Sequence, residues 1–228
     1  MPSTDFQLLK RQERSDWVRL RTLMTLRWFA IIGQSAAIFV ASRVYNIDIA
    51  LGAVTLVVTV AIFANLASYY AYPTNKRLSE FEATLWLVFD ILQLTALLYF
   101  TGGLNNPFAM LVLAPVTISA TVLHTRSTIF RGVTAMTLMT VISGYNIPLI
   151  GENGAELVMP VLFQFGFWVA LLISLVFLAL YARQVTSEMN AMNEALLATQ
   201  LALSREQKLT DLGGVVAATA HELGTPLA

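Results

Sequence analysis

The chain has 228 residues, of which 57% are hydrophobic and only 12% are charged. Soluble domains carry roughly 25% charged residues, so this composition excludes an ordinary soluble domain and predicts a membrane protein. The formal net charge is zero, and the absence of cysteine excludes disulfides and thiolate metal sites within these residues.

The first 25 residues form a charged segment ahead of any long apolar stretch. Basic and acidic side chains are interspersed in MPSTDFQLLKRQERSDWVRLRTL. A cleaved signal peptide has a short cationic leader with its apolar core directly after it, and this segment does not have that pattern. Residues 1–25 are therefore predicted to be a cytoplasmic segment, partly amphipathic, that leads into the membrane.

Six apolar stretches, separated by turn-forming or charged residues, predict transmembrane helices. A hydrocarbon core about 30 Å thick requires about 20 mostly apolar helical residues. The predicted spans are Leu26–Ala41, Ile49–Tyr72, Ala83–Phe100, Phe108–Leu123, Ile129–Ile150 and Leu157–Tyr181. The predicted fold class is all-α: a polytopic membrane domain, residues 26–182, with six transmembrane helices, followed by a cytoplasmic dimerising helix.

The placement of basic residues supports this scheme and orients it. Cytoplasmic loops of membrane proteins collect Lys and Arg. With both chain termini inside, all of the 14 basic residues except Arg43 fall on the cytoplasmic side; Arg27 is counted there because it lies at the mouth of the first span. The chain is accordingly predicted to be a multi-pass protein of the bacterial inner membrane with cytoplasmic N- and C-termini.

The three predicted outer connections are short. They cover Arg43 to Asp48, Thr101 to Pro107 and Gly151 to Glu156, each only a few residues long. Such segments cannot build a periplasmic ligand-binding domain. A sensor of this design is expected to respond to a membrane-soluble molecule, to a partner within the bilayer, or to the bilayer itself.

Several polar residues fall inside the predicted spans. Asp90 and Gln93 are three residues apart in the third span and share a helix face. An ionisable residue at this depth is costly, and it usually faces the bundle interior or marks a pathway. Asp90 is interpreted either as a proton partner in signalling or as a protonated, hydrogen-bonded packing residue. Three further residues are expected to form hydrogen bonds between helices: Gln34, Asn65 and Ser143.

The second outer connection has an unusual composition: Gly102-Gly103-Leu104-Asn105-Asn106-Pro107-Phe108. Glycine permits backbone angles that are closed to other residues, and proline favours the first turn of a helix. A tight turn alone would explain most of this composition. A ligand site is the alternative, because an aromatic ring, amide side chains and exposed backbone amides are also present.

After the sixth span the sequence turns polar without a loop signal. Apolar residues keep a spacing of three and four, which predicts a helix that pairs with another helix. These residues are Val185, Met189, Met192, Leu196 and Leu203. Residues 183–212 are therefore predicted to form a cytoplasmic signalling helix that is continuous with the sixth span; an ordinary solvated helix is the alternative.

The last predicted segment, residues 213–228, contains His221-Glu222-Leu223-Gly224-Thr225-Pro226. A neutral imidazole nitrogen of His221 can attack a phosphorus centre, and the neighbouring Glu222 can accept or donate a proton during that attack. Thr225 lies one helical turn further on the same side, where its hydroxyl can position a water molecule. A surface helix with an incidental His-Glu pair is the alternative interpretation.

These residues resemble the phosphoacceptor box of sensor histidine kinases. Together with Gly-Gly-x-x-Asn-Pro-Phe between the third and fourth spans, they are similar to the RegB/PrrB family of redox-responsive sensor kinases, and the resemblance extends over essentially the whole chain. The resemblance implies ubiquinone as a regulatory ligand near Gly102, Gly103, Asn106, Pro107 and Phe108. Asn105 occupies a variable position of the motif and is a further candidate.

The resemblance also implies what the complete protein would do. His221 would be autophosphorylated from ATP and would pass the phosphoryl group to a response regulator, with Glu222 as acid or base and Thr225 positioning water for dephosphorylation. The family's reactive cysteine and its ATP-binding domain, with bound Mg²⁺, are not found in these residues. The chain is expected to be the sensor part of a longer kinase, inactive alone, with residues 213–228 beginning its dimerisation and phosphotransfer domain.

The predicted function is thus a homodimeric, quinone-linked redox sensor of a two-component system. The expected partners are a second copy of the chain, the response regulator, the membrane quinone pool and a respiratory membrane complex; direct nucleic-acid binding and a metal site are not expected. A polytopic transporter or channel, with Asp90 and the short polar loop lining a path, is the main alternative. A quinone-using membrane enzyme is the second alternative, although the sequence lacks recognisable sites for an electron carrier.

Overall fold

The computed structural model describes the backbone of residues 18–72, 77–122 and 125–224, and the side chains of residues 20–72, 78–121 and 125–213. The predicted all-α class is confirmed, since helices account for nearly all regular structure in the described residues. The elements in chain order are β1 (Val18–Arg19), α1 (Leu20–Arg43), α2 (Leu51–Ala71), β2 (Arg77–Leu78), α3 (Glu80–Tyr99), two 3-10 helices (Gly103–Asn105 and Pro107–Val112), α4 (Leu113–Val122), α5 (Thr125–Gly144) and α6 (Val161–Gly224).

Local sequence signals explain where several helices begin and end. Ser79 and Glu82 form a capping box at the start of α3: the Ser79 hydroxyl accepts from the Glu82 amide at 3.3 Å, and the Ser79 amide donates to the Glu82 carboxylate at 2.9 Å. The fifth predicted span was wrong at its end, because α5 ends at Gly144 and not at Ile150. The sixth begins at Val161 and not at Leu157, directly after Pro160, whose ring favours a helix start.

Helix α3 lies between two groups of helices. On one side, Leu97 packs with Ile31 of α1 and with residues of α2 such as Val54 and Val58. On the other side, apolar residues of α3 pack with the 3-10 helices, α4, α5 and the first turns of α6; the buried members of this cluster include Ile91, Leu98, Leu104, Val112, Met139 and Leu171. The outer loop that follows α3 is therefore anchored in the larger core cluster.

The outward-facing surfaces of the helices are apolar. Large hydrophobic side chains point away from the core, for example Phe29 at 71% and Phe63 at 66% exposure. A water-soluble protein rarely exposes contiguous apolar surface on this scale, whereas a lipid bilayer solvates it. The helices are thus built to contact lipid on their outer faces and one another on their inner faces.

Four helices in the described part of the chain are long and apolar enough to cross a membrane. They are α1, α2, α3 and the α6 segment Val161–Gly213, while Pro107–Thr121 forms a shorter apolar helix. Helix α5 has sufficient length, 20 residues, but its threonines and the buried Arg131 reduce its hydropathy. Six helices occupy the six predicted stretches, and six membrane crossings stay a prediction.

The connections between helices meet in two separate groups. At one end, the amide of Asp48 donates to the carbonyl of Ile150 at 2.8 Å, and the amide of Ile147 donates to the carbonyl of Tyr99 at 2.9 Å. At the other end, β1 pairs with β2, and the Ser127 hydroxyl donates to the Glu80 carboxylate at 2.6 Å. The first and third predicted outer connections contact each other, since the Asn46 side-chain nitrogen donates to the Glu152 carboxylate at 3.4 Å.

The chain divides into two compact units, the first ending at Ala182 and the second beginning at Arg183. Helix α6 is a single helix of 64 residues, so the prediction of an uninterrupted helix after the sixth span is confirmed. In the second unit, Met189, Met192, Leu196 and Leu203 are exposed. Their pairing with a second helix stays a prediction.

Candidate functional site in the outer loop

The outer loop, Gly102–Phe108, turns sharply at its two glycines. Gly102 has φ 89° and Gly103 has φ 58°, so both adopt the left-handed region that was expected from the sequence. A Cβ atom at Gly103 would lie 2.6 Å from the carbonyl oxygen of Ile142. Gly103 is therefore required both by its backbone angles and by the close approach of the loop to the end of α5.

Asn106 holds the shape of the loop. Its side-chain oxygen accepts from the Phe108 amide at 2.8 Å, and its side-chain nitrogen donates to the Thr101 hydroxyl at 2.7 Å. Asn106 thus caps the 3-10 helix that begins at Pro107. The sequence had predicted that Pro107 would begin a helix. Because both polar atoms of its side chain are engaged within the loop, Asn106 is a positioning residue here, and its contact with a quinone stays a prediction.

Phe108 is the large side chain that the outer loop presents outward. It is 47% exposed, whereas its neighbours Leu104 and Ala109 are fully buried in the core cluster. Pro107 is also exposed. An exposed aromatic ring held on a rigid turn offers a flat apolar surface on which another planar ring can stack.

Asn105 connects the loop to the segment before α6. Its side-chain oxygen accepts from the amide of Met159 at 3.0 Å. Its side-chain nitrogen has no hydrogen-bond partner among the described residues. Met159 in turn lines an apolar cavity of about 410 Å³ along the first turns of α6, together with Leu162, Phe163, Gly166, Phe167 and Ala170.

Asp90, the ionisable residue expected inside the third span, forms an ion pair with Arg27 of α1. Arg27 Nε donates to Asp90 Oδ1 at 2.6 Å and Arg27 Nη2 donates to Asp90 Oδ2 at 3.1 Å. The guanidinium carbon also lies 4.7 Å from the centre of the Trp86 ring and 5.4 Å from that of Phe89. Asp90 is therefore hydrogen bonded within the helix packing, with Arg27 as its partner.

A second polar contact joins the same two helices, seven residues further along α1 and three residues further along α3. Gln93 of α3 donates to Gln34 of α1 through its side-chain amide at 3.0 Å. Asn65 of α2 donates to the carbonyl of Met24 at 3.2 Å. The expected interhelical bonds of Gln34 and Asn65 are confirmed. Ser143 also takes part in an interhelical bond, but through its backbone: its carbonyl accepts from the Gln164 side chain of α6 at 3.1 Å, whereas its hydroxyl donates to Thr140 of its own helix.

Sequence reasoning missed the role of Arg27. Its position near the start of the first span led to its assignment to the cytoplasmic boundary, but its side chain is only 6% exposed within the helix packing. A usable signal was present, since Arg27 and Gln34 are seven residues apart and therefore share a helix face, as do Asp90 and Gln93. A polar face on each of two membrane helices indicates that these helices can pack against each other.

The predicted phosphoacceptor box is described only in part. Helix α6 extends through His221 and Glu222 to Gly224, so both residues have helical backbone. Their side chains, and the whole of Thr225, lie outside the described residues. The roles assigned to these three residues stay predictions.

The fold and the outer loop define a polytopic α-helical membrane domain with short outer connections and a long C-terminal helix. A family described as the PilS-like transmembrane domain matches residues 16–189. Since this match covers most of the chain, the chain belongs to that family.

Two curated relatives are similar to this chain over nearly all of its length. Both are named sensor histidine kinase RegB, one from Cereibacter sphaeroides and one from a specified strain of that species. They are 51% and 52% identical over 221 residues, which is 97% of this chain and 48% of each relative. The resemblance inferred from the two motifs is confirmed, and the chain spans about half the length of the relatives it matches. No solved structure matches the chain significantly.

Proposed function

We propose that the chain is the membrane sensor part of a quinone-responsive histidine kinase. The observation that carries the proposal is the outer loop: Asn106, Gly102 and Gly103 hold a rigid turn that presents the half-exposed ring of Phe108. The identity with proteins named sensor histidine kinase over nearly the whole chain supports the kinase assignment.

The outer loop carries groups that can contact a quinone headgroup. Phe108 and Pro107 supply an apolar surface for the ring. The Asn105 side-chain nitrogen, which donates to no described residue, is available to a quinone carbonyl oxygen. Gly102, Gly103 and Asn106 contribute by fixing the backbone, and the apolar cavity beside Met159 has room for part of an isoprenoid tail.

The phosphotransfer step belongs to the complete protein. The His221 imidazole nitrogen would attack the γ-phosphorus of ATP, the bond to the β-γ bridging oxygen would break, and ADP would leave. Glu222 would take the proton from the other imidazole nitrogen, and Thr225 would place water for the later hydrolysis. ATP and Mg²⁺ would be held by a region that corresponds to the unmatched half of the relatives.

The proposed arrangement in the cell follows from charge and topology. Six membrane crossings would place both termini in the cytoplasm and the outer loop on the far side of the inner membrane. The exposed apolar residues of the second unit, Met189 to Leu203, would pair with the same residues of a second copy. A response regulator, the quinone pool and a respiratory complex would be the remaining partners.

The test uses the full-length protein in membranes and follows phosphorylation from labelled ATP with oxidised or reduced ubiquinone. His221→Ala is expected to abolish labelling. Phe108→Ala is expected to preserve labelling and to remove its dependence on the quinone's redox state. Phe63→Ala is the matched control, because Phe63 is an exposed phenylalanine on α2, away from the loop. Labelling of His221→Ala would refute the phosphoacceptor assignment, and an unchanged quinone response in Phe108→Ala would refute the loop assignment.

A transporter is a weaker proposal. Its main support in the sequence was Asp90 as a residue lining a path, and Asp90 is engaged by Arg27 within the helix packing. Proteoliposomes containing the protein are expected to show no net proton or solute flux.

A further inference from the structure

One hydrogen bond joins the outer loop to the segment that begins α6. The amide of Met159 donates to the Asn105 side-chain oxygen at 3.0 Å, although the two residues are 54 positions apart. Within the described residues, the other hydrogen bonds of Gly102–Phe108 are made inside the loop, to Thr101 directly before it, or to the 3-10 helix directly after it, where the Ala109 amide donates to the Asn106 carbonyl at 3.0 Å. Asn105 is therefore the polar link from this loop to another segment of the chain.

The hydrogen bond between Asn105 and Met159 lies close to the start of α6. Pro160 follows Met159, and its carbonyl accepts from the amides of Phe163 at 2.9 Å and Gln164 at 3.0 Å, which closes the first turn of α6. Proline has a fixed φ angle and restricts the residue before it. Since few backbone torsions separate Met159 from this turn, displacement of the Met159 amide is transmitted to the start of α6.

The Met159 amide loses its described partner if the link opens, since its hydrogen bond is to the Asn105 side-chain oxygen. Met159 also lines an apolar cavity whose other lining residues are Leu162, Phe163, Gly166, Phe167 and Ala170. None of these side chains carries a hydrogen-bond acceptor, so the cavity lining offers the amide no replacement for the Asn105 oxygen.

We propose that Asn105 is a positioning residue that couples the conformation of the outer loop to the start of α6. A ligand that stacks on Phe108 and bonds the Asn105 side chain would rotate that amide and weaken its bond to Met159. A bond of this type biases a two-state equilibrium by about two- to tenfold. This inference rests on the proposed sensor function for its output, but the mechanical coupling is testable without it.

The first experiment measures hydrogen exchange at the Met159 amide in this chain, in detergent. Asn105→Leu is expected to accelerate exchange by about tenfold, because the acceptor is lost. Asn105→Asp keeps an acceptor oxygen at the same position and is expected to retain protection. Asn146→Ala is the control, since the described hydrogen bond of that neighbouring asparagine is to Ile142 of its own segment. Unchanged exchange in Asn105→Leu would overturn the proposal.

The second experiment asks whether the link transmits a change in the loop. Phe108→Ala is introduced into the wild type and into Asn105→Leu, and exchange is measured at the Phe163 and Gln164 amides. The proposal expects a shift of at least about twofold in the wild type and none in Asn105→Leu. The same effect in both backgrounds, including no effect in either, would overturn it.

The regulatory consequence is tested in the full-length protein. The ratio of phosphorylation with oxidised and reduced ubiquinone is expected to fall toward one in Asn105→Leu and to keep its wild-type value in the control Asn146→Ala. A wild-type ratio of one would refute the proposed quinone function and leave the exchange experiments to decide the coupling. A normal ratio in Asn105→Leu would overturn a role of Asn105 in signalling.

Discussion

Polar side chains serve opposite purposes in two regions of the molecule. In the α1–α3 polar contact, formed by Arg27, Gln34, Asp90 and Gln93, side chains bond one another and join two helices. In the outer loop, the side chains of Asn105 and Asn106 bond backbone amides and shape a turn. In the first region the polar side chains are hydrogen bonded to one another. In the second region, the Phe108 ring and the Asn105 side-chain nitrogen are available to a ligand.

The difference shows that the chemical type of a residue does not identify a site. Asp90 was one candidate for a residue on a pathway, yet it is paired with Arg27 within the packing. Phe108 is apolar and would not be singled out by its chemical type, yet its ring is exposed on a constrained turn. Available surface and unfilled bonding capacity are the better indicators of a ligand site.

The largest expected effect comes from breaking the ion pair of the α1–α3 contact. Arg27→Met leaves the Asp90 carboxylate without its cation, which is expected to lower the free energy of unfolding by about 3–5 kcal/mol. Thermal and denaturant unfolding in detergent measures this change. Arg43→Met is the control, because Arg43 is exposed at the end of the same helix. If both variants lose equal stability, the pair does not stabilise the packing. Arg27→Met combined with Asp90→Leu is expected to recover much of the loss.

The next largest effect is expected at Gly103 of the outer loop. Gly103→Ala combines a left-handed backbone with a Cβ position 2.6 Å from a carbonyl oxygen, and about 2 kcal/mol of destabilisation is expected. Gly52→Ala is the matched control, because no atom lies within 4 Å of its added Cβ. Unfolding curves of the two variants are compared. Equal stability of both would show that the loop relaxes without strain.

A smaller effect on the free energy of unfolding is expected at the hydrogen bond between Gln93 and Gln34 in the α1–α3 contact. Gln93→Leu leaves the buried Gln34 side chain without its donor, at an expected loss of about 1–2 kcal/mol in the free energy of unfolding. Replacing both residues by Leu is expected to be closer to neutral, because no polar group is then left unpaired. If the double variant loses as much stability as the sum of the single variants, the two side chains do not act as a pair.

The smallest effect on stability is expected at Phe108. Because its ring is half-exposed, Phe108→Ala is expected to change the free energy of unfolding by less than about 0.5 kcal/mol, while removing the quinone response of the full-length protein. Unfolding and quinone titration are measured on the same preparation. A large loss of stability would assign Phe108 to packing and would remove the contrast between the two regions.

The sequence was a sufficient guide to the helical fold and to the places where helices are found. Apolar stretches of about 20 residues have few structural solutions in a bilayer, so all six predicted stretches contain helix. The errors occurred at the ends of helices. The fifth span was predicted to continue beyond Gly144, but α5 ends there, because a local glycine and proline outweigh hydropathy. The outer-loop glycines do use backbone angles that are closed to other residues, and a helix does begin at Pro107, as the sequence suggested, because both properties depend on the backbone of single residues.

The sequence was a poor guide to partners across helices. It identified Asp90 as significant and Arg27 as basic, but not that the two are paired, because helix rotation and register decide which faces meet. In the same way it named Asn106 and Asn105 without distinguishing the one that caps the loop from the one that reaches Met159. Backbone hydrogen bonding and hydropathy are local quantities and can be inferred along the chain. Contacts between segments many residues apart depend on the packing of the whole bundle, and only the tertiary structure decides them.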